Sequence, residues 1–231
     1  MGRWDDEALT ATTDAKSVVK YLAELSPAHV TVDAHSHEKS GYNYADVVQM
    51  LSDLGVPATG VLGGFIATPP SSENWTRFRN GPLRGLRSPY PLWSPSVLWG
   101  GASGQHRDDP HASGVWRPKD AEHFFEDDPT QSPPNIGGYT SDRVSGDGVA
   151  ELLYLLRTGR LEEGHMYTAT IMVDQCNLDA DRTILTTVRD IIDGFAPDVA
   201  TGDLVWATLP EVLRVWREEY GSTATVYQKV P

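Results

Sequence analysis

The chain has 231 residues, a formal net charge of -13 and a single cysteine, Cys176. This length allows one large domain or two small ones with a substantial core. The negative charge argues against nucleic acid or an anionic membrane as a partner, and a lone cysteine excludes an internal disulfide bond. No apolar run is long enough to span a bilayer. The first six residues lack the pattern of a signal peptide, so the compartment stays open, and an exported parent protein would carry its signal elsewhere.

The N-terminal part of the chain alternates helical and extended patterns. Apolar residues at helical spacing predict a helix over 14–25, and a β-branched run predicts a strand over 29–33. A second helix is predicted over 44–54, followed by a strand over 58–62 that runs into two glycines. Because short connections join these helices and strands, we predict parallel strands in an α/β sheet or barrel.

The middle of the chain, residues 66–142, has a different character. It is rich in Pro, Gly, Ser and Trp and shows poor periodicity. Short strands are predicted at 97–101 and 114–117, and short helical turns at 71–79 and 119–126. Irregular segments of this length usually carry function or mobility. We therefore interpret the region as loops that wrap the mouth of a site.

Regular patterns return in the last part of the chain. Helices are predicted over 148–156, 179–192 and 209–220, and strands over 166–173 and 203–207. We expect these strands to join those of the N-terminal part in one parallel sheet, so that residues 1–231 form a single α/β domain.

Residues with metal-binding chemistry lie where the first predicted strand ends. Asp33, His35 and His37 alternate there and are followed by Glu38. Because side chains alternate across a strand, the first three share one face if the strand continues that far. Imidazole and carboxylate groups are ligands for zinc or a similar divalent ion. The pattern predicts a metal site at a strand end, and a polar turn with solvent-exposed histidines is the alternative.

Further candidate residues lie outside this cluster. Asp174 follows the predicted strand over 166–173 and would reach the same end of the sheet as a third metal ligand. Arg117 is a rigid bidentate donor that suits an acyl carbonyl or a carboxylate, with a structural salt bridge as the alternative. Trp116 and Tyr42 are the predicted substrate-binding residues, because aromatic rings stack on the C–H faces of sugars. Tryptophan is also a common core residue.

Several of these segments resemble the polysaccharide deacetylase-like superfamily. The histidine-bearing strand, the helix start at 42–47 and the glycine pair within 61–65 are similar to that family. The Arg-Pro motif at 114–118 and the ending at 204–212 continue the resemblance. It implies an irregular (β/α) barrel, a divalent metal and the removal of acetyl groups from sugars. The histidine spacing differs, the family's catalytic Asp and first metal ligand have no counterpart, and the chain begins where the third barrel strand would lie.

The segment from Asp33 to His37 also resembles the opening strand of amidohydrolase barrels and related phosphoesterases. Their D-x-H-x-H signature places both histidines on a catalytic metal. Those families repeat histidines at later strand ends, however, and the remaining histidines of this chain do not show that spacing. The amidohydrolase interpretation is therefore the second choice.

We predict an irregular, incomplete (β/α) barrel with mainly parallel strands and a long loop region rich in Trp, Gly and Pro. Its function would be metal-dependent hydrolysis that removes acyl groups from a glycan or a related small molecule. The alternatives are an amidohydrolase-type enzyme and an inactive relative that binds a glycan or a protein. The loops over 66–142 are expected to cover the histidine end of the sheet, with Trp116 or Arg117 at the opening. Because an incomplete barrel leaves an unpaired strand edge, we also expect self-association.

The expected mechanism assigns a role to each candidate residue. A divalent ion, with zinc as the expected metal, polarises the acyl carbonyl and lowers the pKa of bound water. Glu38 or Asp33 takes the water proton, and Arg117 stabilises the oxyanion. The expected metal ligands are His35, His37 and Asp174.

Overall fold

The computed structural model describes residues 14–36, 41–63, 82–87, 92–100, 109–120, 122–173 and 183–229. These residues form a mixed α/β fold around a mainly parallel sheet of four strands. The predicted α/β class with mainly parallel strands is therefore confirmed. The strands of the described ranges form an open sheet and do not close into a barrel. Within the same ranges, every helix is too short or too polar to cross a membrane.

The helices lie close to where the sequence predicts them. Asn43 and Asp46 form a reciprocal capping box at the start of one helix, and Thr208 accepts a hydrogen bond from the Glu211 N–H at 3.4 Å at the start of another. All five predicted helices are confirmed with shifted ends, and α5 is additional. The helices are α1 Val18–Leu25, α2 Tyr44–Asp53, α3 Asp147–Arg157, α4 Thr183–Gly194, α5 Ala196–Thr201 and α6 Leu209–Glu218.

The strands are short and come mostly from the middle of the chain. They are β1 Val61–Gly63, β2 Val97–Trp99, β3 Ala112–Ser113, β4 Val115–Trp116, β5 Asn135–Ile136 and β6 Tyr227–Gln228. The main sheet has the order β1-β2-β5-β4, in which β1, β2 and β5 are parallel and β4 is antiparallel to β5. A second sheet pairs β3 with β6 in antiparallel fashion. A 3-10 turn, Asp109–His111, precedes β3.

The predicted locations of the strands are correct only in part. Three of the four strands in the main sheet lie within 66–142, which we interpreted as loops, although the short strands expected near 97–101 and 114–117 are confirmed. Of the four strands expected to build the sheet, only the one over 58–62 forms, shifted to β1. The segment over 29–33, which we expected to be a strand, does not form one. The residue that follows it, Ala34, makes a single parallel bridge with Leu62.

The two late segments with strand-like sequences have other interactions. In the segment 166–173, the Thr168 N–H donates to Ser113 Oγ at 2.9 Å, and Thr168 Oγ1 accepts from the Gly114 N–H at 2.9 Å. Side-chain hydrogen bonds thus replace the backbone ladder of a strand. Val205, in the segment 203–207, is 70% exposed, because this stretch runs outside the core into α6. The helical turn expected over 119–126 is a turn in the residues described there, and 71–79 lies outside the described residues.

Both faces of the main sheet are buried, because side chains alternate along each strand. One face packs against α6, and this cluster contains Val61, Val97, Val115, Ile136, Leu213 and Trp216. The other face packs against α1 and α2, and this cluster includes Leu62, Leu98, Trp116, Val19, Val48 and Leu51. Burial of apolar side chains in these two layers supplies the main driving force for the fold. The ends of the strands are left for other interactions.

Candidate functional site at the carboxyl edge of the sheet

We call the side of the main sheet at which β1, β2 and β5 end the carboxyl edge. The last residues of these strands are Gly63, Trp99 and Ile136. The Gly63 N–H donates to the Ala34 carbonyl at 2.9 Å, so the residue that follows Ala34, His35, lies at the same edge. Chain segments that leave parallel strands converge at their carboxyl ends, where open α/β folds bind ligands. Among the predicted site residues that the structure describes, His35 is the one whose hydrogen bond places it at this edge.

The His35 imidazole is exposed but held in a defined orientation. Its Nδ1 lies 2.6 Å from the carbonyl oxygen of Gly63. A carbonyl oxygen only accepts hydrogen bonds, so Nδ1 carries the proton and donates it. In the neutral ring, Nε2 then carries the lone pair. This arrangement fixes the tautomer that presents Nε2 as a ligand atom.

Asp33 lies against the other end of β1. Its Oδ1 accepts a hydrogen bond from Thr59 Oγ1 at 2.5 Å, and its Oδ2 accepts one from Thr31 Oγ1 at 3.2 Å. Burial raises the pKa of the Asp33 carboxyl, and the two hydroxyl donors oppose part of that rise. Thr59 precedes β1, whereas His35 contacts its last residue, so Asp33 and His35 interact with opposite ends of the strand.

The loop between His35 and α2 brings Tyr42 next to a cation. Ser36 Oγ donates to the Tyr42 carbonyl at 2.6 Å, which ties the two ends of this loop together. The guanidinium carbon of Arg87 lies 5.6 Å from the centroid of the half-buried Tyr42 ring. This is a cation–π distance, so the guanidinium covers part of the ring that we predicted to bind substrate. The predicted metal ligand His37 and the predicted base Glu38, within the same loop, lie outside the described residues.

A buried carboxylate supports the start of α2 beside this loop. Asp46 is 1% exposed and accepts hydrogen bonds from the backbone N–H groups of Asn43, Leu86 and Arg87 at 2.9, 2.8 and 3.0 Å. Three such donors stabilise the ionised form of a carboxylate. The cap joins residues close in sequence, whereas the two donors from 82–87 come from a distant segment. Asp46 therefore positions Arg87 over Tyr42.

Arg117 lies at the opposite side of the sheet, which we call the amino edge because β5 begins there. β4 runs antiparallel to β5, so that Val115 pairs with Ile136 and Trp116 with Asn135. The chain therefore leaves β4 at the end where β5 begins. This corrects the expectation that Trp116 or Arg117 lines an opening over the histidines, because the two sites face opposite edges.

The Arg117 guanidinium is engaged in a salt bridge. Nε and one terminal nitrogen donate to the two carboxylate oxygens of Asp127 at 3.0 and 2.7 Å. The guanidinium carbon also lies 5.4 Å from the centroid of the Trp216 ring. Bidentate pairing and stacking of this kind are structural uses of arginine. The structural alternative for Arg117 therefore describes its environment, and the oxyanion role is not retained.

Trp116 is a core residue. Its side chain is 0% exposed, and its indole N–H donates to the Phe124 carbonyl at 2.6 Å. The rings of Phe124 and Phe125 lie 5.4 and 6.2 Å from it, centroid to centroid. The ring has no exposed face for a sugar, so the predicted substrate-binding role of Trp116 is corrected to core packing.

Within the described residues, one group of three side chains has the residue types and the mutual distances that a metal site needs. It consists of Asp120, Glu122 and His123, in the turn beyond Arg117. Asp120 accepts hydrogen bonds from the His123 ring and from the N–H groups of Glu122 and His123. Exposed polar turns of this kind are common without a metal. Further ligands beside His35 would therefore come from the residues outside the described ranges, which include His37 and Asp174.

The segment 166–173 is bonded to residues at the carboxyl edge. The indole N–H of Trp99 lies 3.4 Å from Thr170 Oγ1, and the Thr170 N–H donates to the Tyr139 carbonyl at 2.9 Å. These bonds place the segment 166–173 next to the chain that leaves β5.

No family of known sequences, curated protein or solved structure matches this chain.

Proposed function

We propose that this chain is a metal-dependent hydrolase, similar to carbohydrate deacetylases, that removes acyl groups from a glycan or a related small molecule. The observation that carries the proposal is the orientation of His35 at the carboxyl edge. Metal-binding histidines donate their second ring N–H to a carbonyl or a carboxylate, which orients the other nitrogen towards the ion. The hydrogen bond from Nδ1 to the Gly63 carbonyl has this form and supports Nε2 as a ligand.

The proposed ligand set extends beyond His35, because one imidazole does not hold a divalent ion tightly. His37 and Asp174 are the other proposed ligands, and zinc is the proposed metal. A bound divalent ion would polarise an acyl carbonyl and lower the pKa of water. Glu38 is the proposed base, since both carboxylate oxygens of Asp33 accept hydrogen bonds at the far end of β1. Tyr42 remains the proposed substrate-binding residue.

The irregular, incomplete barrel of the polysaccharide deacetylase-like superfamily belongs to the same proposal. A parallel sheet with helices on both faces supports this architecture without closing it. Self-association is also proposed, through the side of the sheet next to β1, where Ala34 forms a single-residue bridge. Light scattering at increasing protein concentration tests it, and a monomer throughout the range would contradict it.

Metal content is the first test of the proposed function. The protein is purified without nickel affinity, and bound metal is measured in the wild type, in His35→Ala and in His29→Ala. His29 is the matched control, because it is also exposed and its Nδ1 is bonded to Ser26 Oγ at 2.9 Å, away from the carboxyl edge. We expect His35→Ala to lose metal and His29→Ala to retain it. Equal metal content in all three proteins would refute the metal site.

Release of acyl groups is the second test. Acetate release from acetylated oligosaccharides is measured for the wild type, for the two histidine variants and after chelation. We expect His35→Ala and the chelated protein to lose activity together, while His29→Ala remains active. A protein that binds metal and acetylated sugar but releases no acetate would instead be the inactive glycan-binding relative.

A further inference from the structure

The segment 166–172 is bonded to the rest of the described chain along one edge only. The N–H groups of Thr168 and Thr170 donate to Ser113 Oγ and to the Tyr139 carbonyl, each at 2.9 Å. These two donors are two residues apart and point the same way, which is the spacing of an extended chain. The even-numbered residues of the segment therefore define an inner edge, and the odd-numbered residues define an outer edge.

The outer edge carries backbone groups without partners. The N–H and carbonyl groups of Tyr167, Ala169 and Ile171 make no hydrogen bond to any other described residue. The first six residues of the segment are half-buried and Met172 is 45% exposed, as in a strand that is covered on one side. Natural proteins protect open strand edges with charged residues, prolines or bulges. The segment contains no charged residue and no proline, so its edge is suited to pair with another strand.

The sequence of the segment fits an antiparallel copy of itself. It reads Met-Tyr-Thr-Ala-Thr-Ile-Met, which is almost the same in both directions about Ala169. With Ala169 opposite Ala169 of a second copy, threonine faces threonine, tyrosine faces isoleucine and methionine faces methionine. Thr–Thr and aromatic–β-branched pairs are favourable cross-strand neighbours. In this register the three residues with free backbone groups face each other and form about six hydrogen bonds.

We propose that the segment 166–172 pairs in antiparallel fashion with the same segment of a second copy of this chain, with a two-fold axis at Ala169. Such a contact is isologous and closes as a dimer. A strand of a different protein could use the same backbone edge, but the near-palindromic sequence favours a second copy. The bonds to Ser113 and Tyr139 hold the segment in place beforehand, which reduces the entropy lost on pairing. The contact lies in a different part of the chain from the side of β1 and does not depend on a metal at His35.

Hydrogen exchange of the full chain locates the contact. Light scattering identifies the concentrations at which the protein is monomeric or dimeric, and amide exchange is followed by NMR at both. We expect the amides of Tyr167, Ala169 and Ile171 to exchange about tenfold or more slowly in the dimer. The Val205 amide is the control, because Val205 is 70% exposed and its N–H also has no acceptor among the described residues.

The other outcomes of this experiment contradict the proposal in distinguishable ways. A dimer in which the three amides exchange at the monomer rate would place self-association elsewhere, such as at the side of β1, and would overturn the pairing of this segment. A monomer at every concentration would overturn both contacts. Neither outcome bears on the metal content of the protein, which tests the proposed hydrolase separately.

A pair of proline variants tests the central hydrogen bonds. Ala169→Pro removes an N–H that has no acceptor within the described chain, so the monomer should fold. Val205→Pro is the matched control, since it removes a similar free N–H outside the segment. We expect Ala169→Pro to raise the dissociation constant of the dimer about tenfold or more and Val205→Pro to leave it unchanged. If Ala169→Pro does not fold, Ile171→Lys blocks the same edge with a charge. A dimer of unchanged affinity in the folded edge variant would overturn the proposal.

Discussion

The two edges of the main sheet use polar groups in opposite ways. At the amino edge, the Arg117 guanidinium is paired with Asp127 and the indole N–H of Trp116 is bonded to a carbonyl. At the carboxyl edge, the imidazole of His35 is exposed and is oriented by its hydrogen bond to the Gly63 carbonyl. Groups that are buried and hydrogen-bonded within the chain stabilise it, whereas an exposed imidazole held in a defined orientation is suited to bind a ligand. Changes at the amino edge should therefore affect stability, and changes at the carboxyl edge should affect binding.

The largest expected effect is at the amino-edge core. Trp116→Ala should lower the free energy of unfolding by about 3 to 5 kcal/mol, because it leaves a cavity and removes the partner of the Phe124 carbonyl. Denaturant unfolding followed by circular dichroism measures the change. Trp206→Ala is the control, since Trp206 is 38% exposed and should lose much less stability. Similar losses in the two variants would contradict the assignment of Trp116 to the core.

A second change tests how tightly the base of the carboxyl edge is packed. Gly137→Ala should lower the free energy of unfolding by about 2 to 4 kcal/mol, because its Cβ would lie 2.5 Å from the carbonyl oxygen of Ala112. That oxygen belongs to the backbone and cannot move without disturbing β3. Gly194→Ala, where a Cβ meets no heavy atom within 4 Å, should be close to neutral. The same unfolding experiment compares the two, and equal stabilities would show that the connection after β5 is loosely packed.

The salt bridge of the amino edge gives the third prediction. Arg117→Met should cost about 2 kcal/mol, because it leaves the Asp127 carboxylate, which is 20% exposed, without its bidentate partner. Metal content and acyl release per folded molecule should stay unchanged, since Arg117 faces away from His35. If the fully folded variant lost metal or acyl release, the contrast between the two edges would be contradicted, and the predicted oxyanion role of Arg117 would be restored.

The smallest effect concerns the pH dependence at Asp33. Burial raises the pKa of this carboxyl above its ordinary value, so the folded protein keeps the proton to a higher pH than the unfolded chain. The stabilisation that protonated Asp33 contributes is present at low pH and is lost as the pH rises through the raised folded pKa. Asp33→Asn should remove this dependence and be at least as stable as the wild type at neutral pH. Unfolding curves across the acidic range measure the difference in the free energy of unfolding between the two proteins. If the wild type became more stable relative to the variant as the pH rises, the predicted direction of the pH dependence would be contradicted.

Helix positions could be predicted from the sequence, because their signals are local. Apolar spacing and caps such as Asn43 with Asp46 are contained within a few residues of the chain. Strand positions could be predicted only in part, because β3, β5 and β6 have two residues each and too little length for an alternating pattern. The segment 166–173 has the composition of a strand, but its pairing depends on the hydroxyl of Thr168 and on distant partners.

The candidate site could be predicted only in part, because its geometry also depends on contacts between distant segments. His35 was expected at the end of a strand over 29–33, but that strand does not form, and His35 reaches the carboxyl edge through the bridge between Ala34 and Leu62. The separation of Arg117 from His35 could not be predicted, because it depends on the direction of β4 relative to β5. A motif that looks adjacent in a family resemblance can therefore lie at the opposite edge when one strand reverses. The contact between Asp33 and Thr59 was likewise invisible, since it joins residues from two separate segments.

The pairing of β3 with β6 has a consequence for how the chain is made. Ala112 pairs with Gln228 and Ser113 with Tyr227, so β3 pairs with residues more than 100 positions later in the sequence. During synthesis the ribosome must deliver this whole intervening stretch before the ladder can close. Contacts of such high sequence separation slow folding and leave β3 unpaired for longer. Nascent chains stalled before β6 should therefore be the species that chaperones hold and proteases cut.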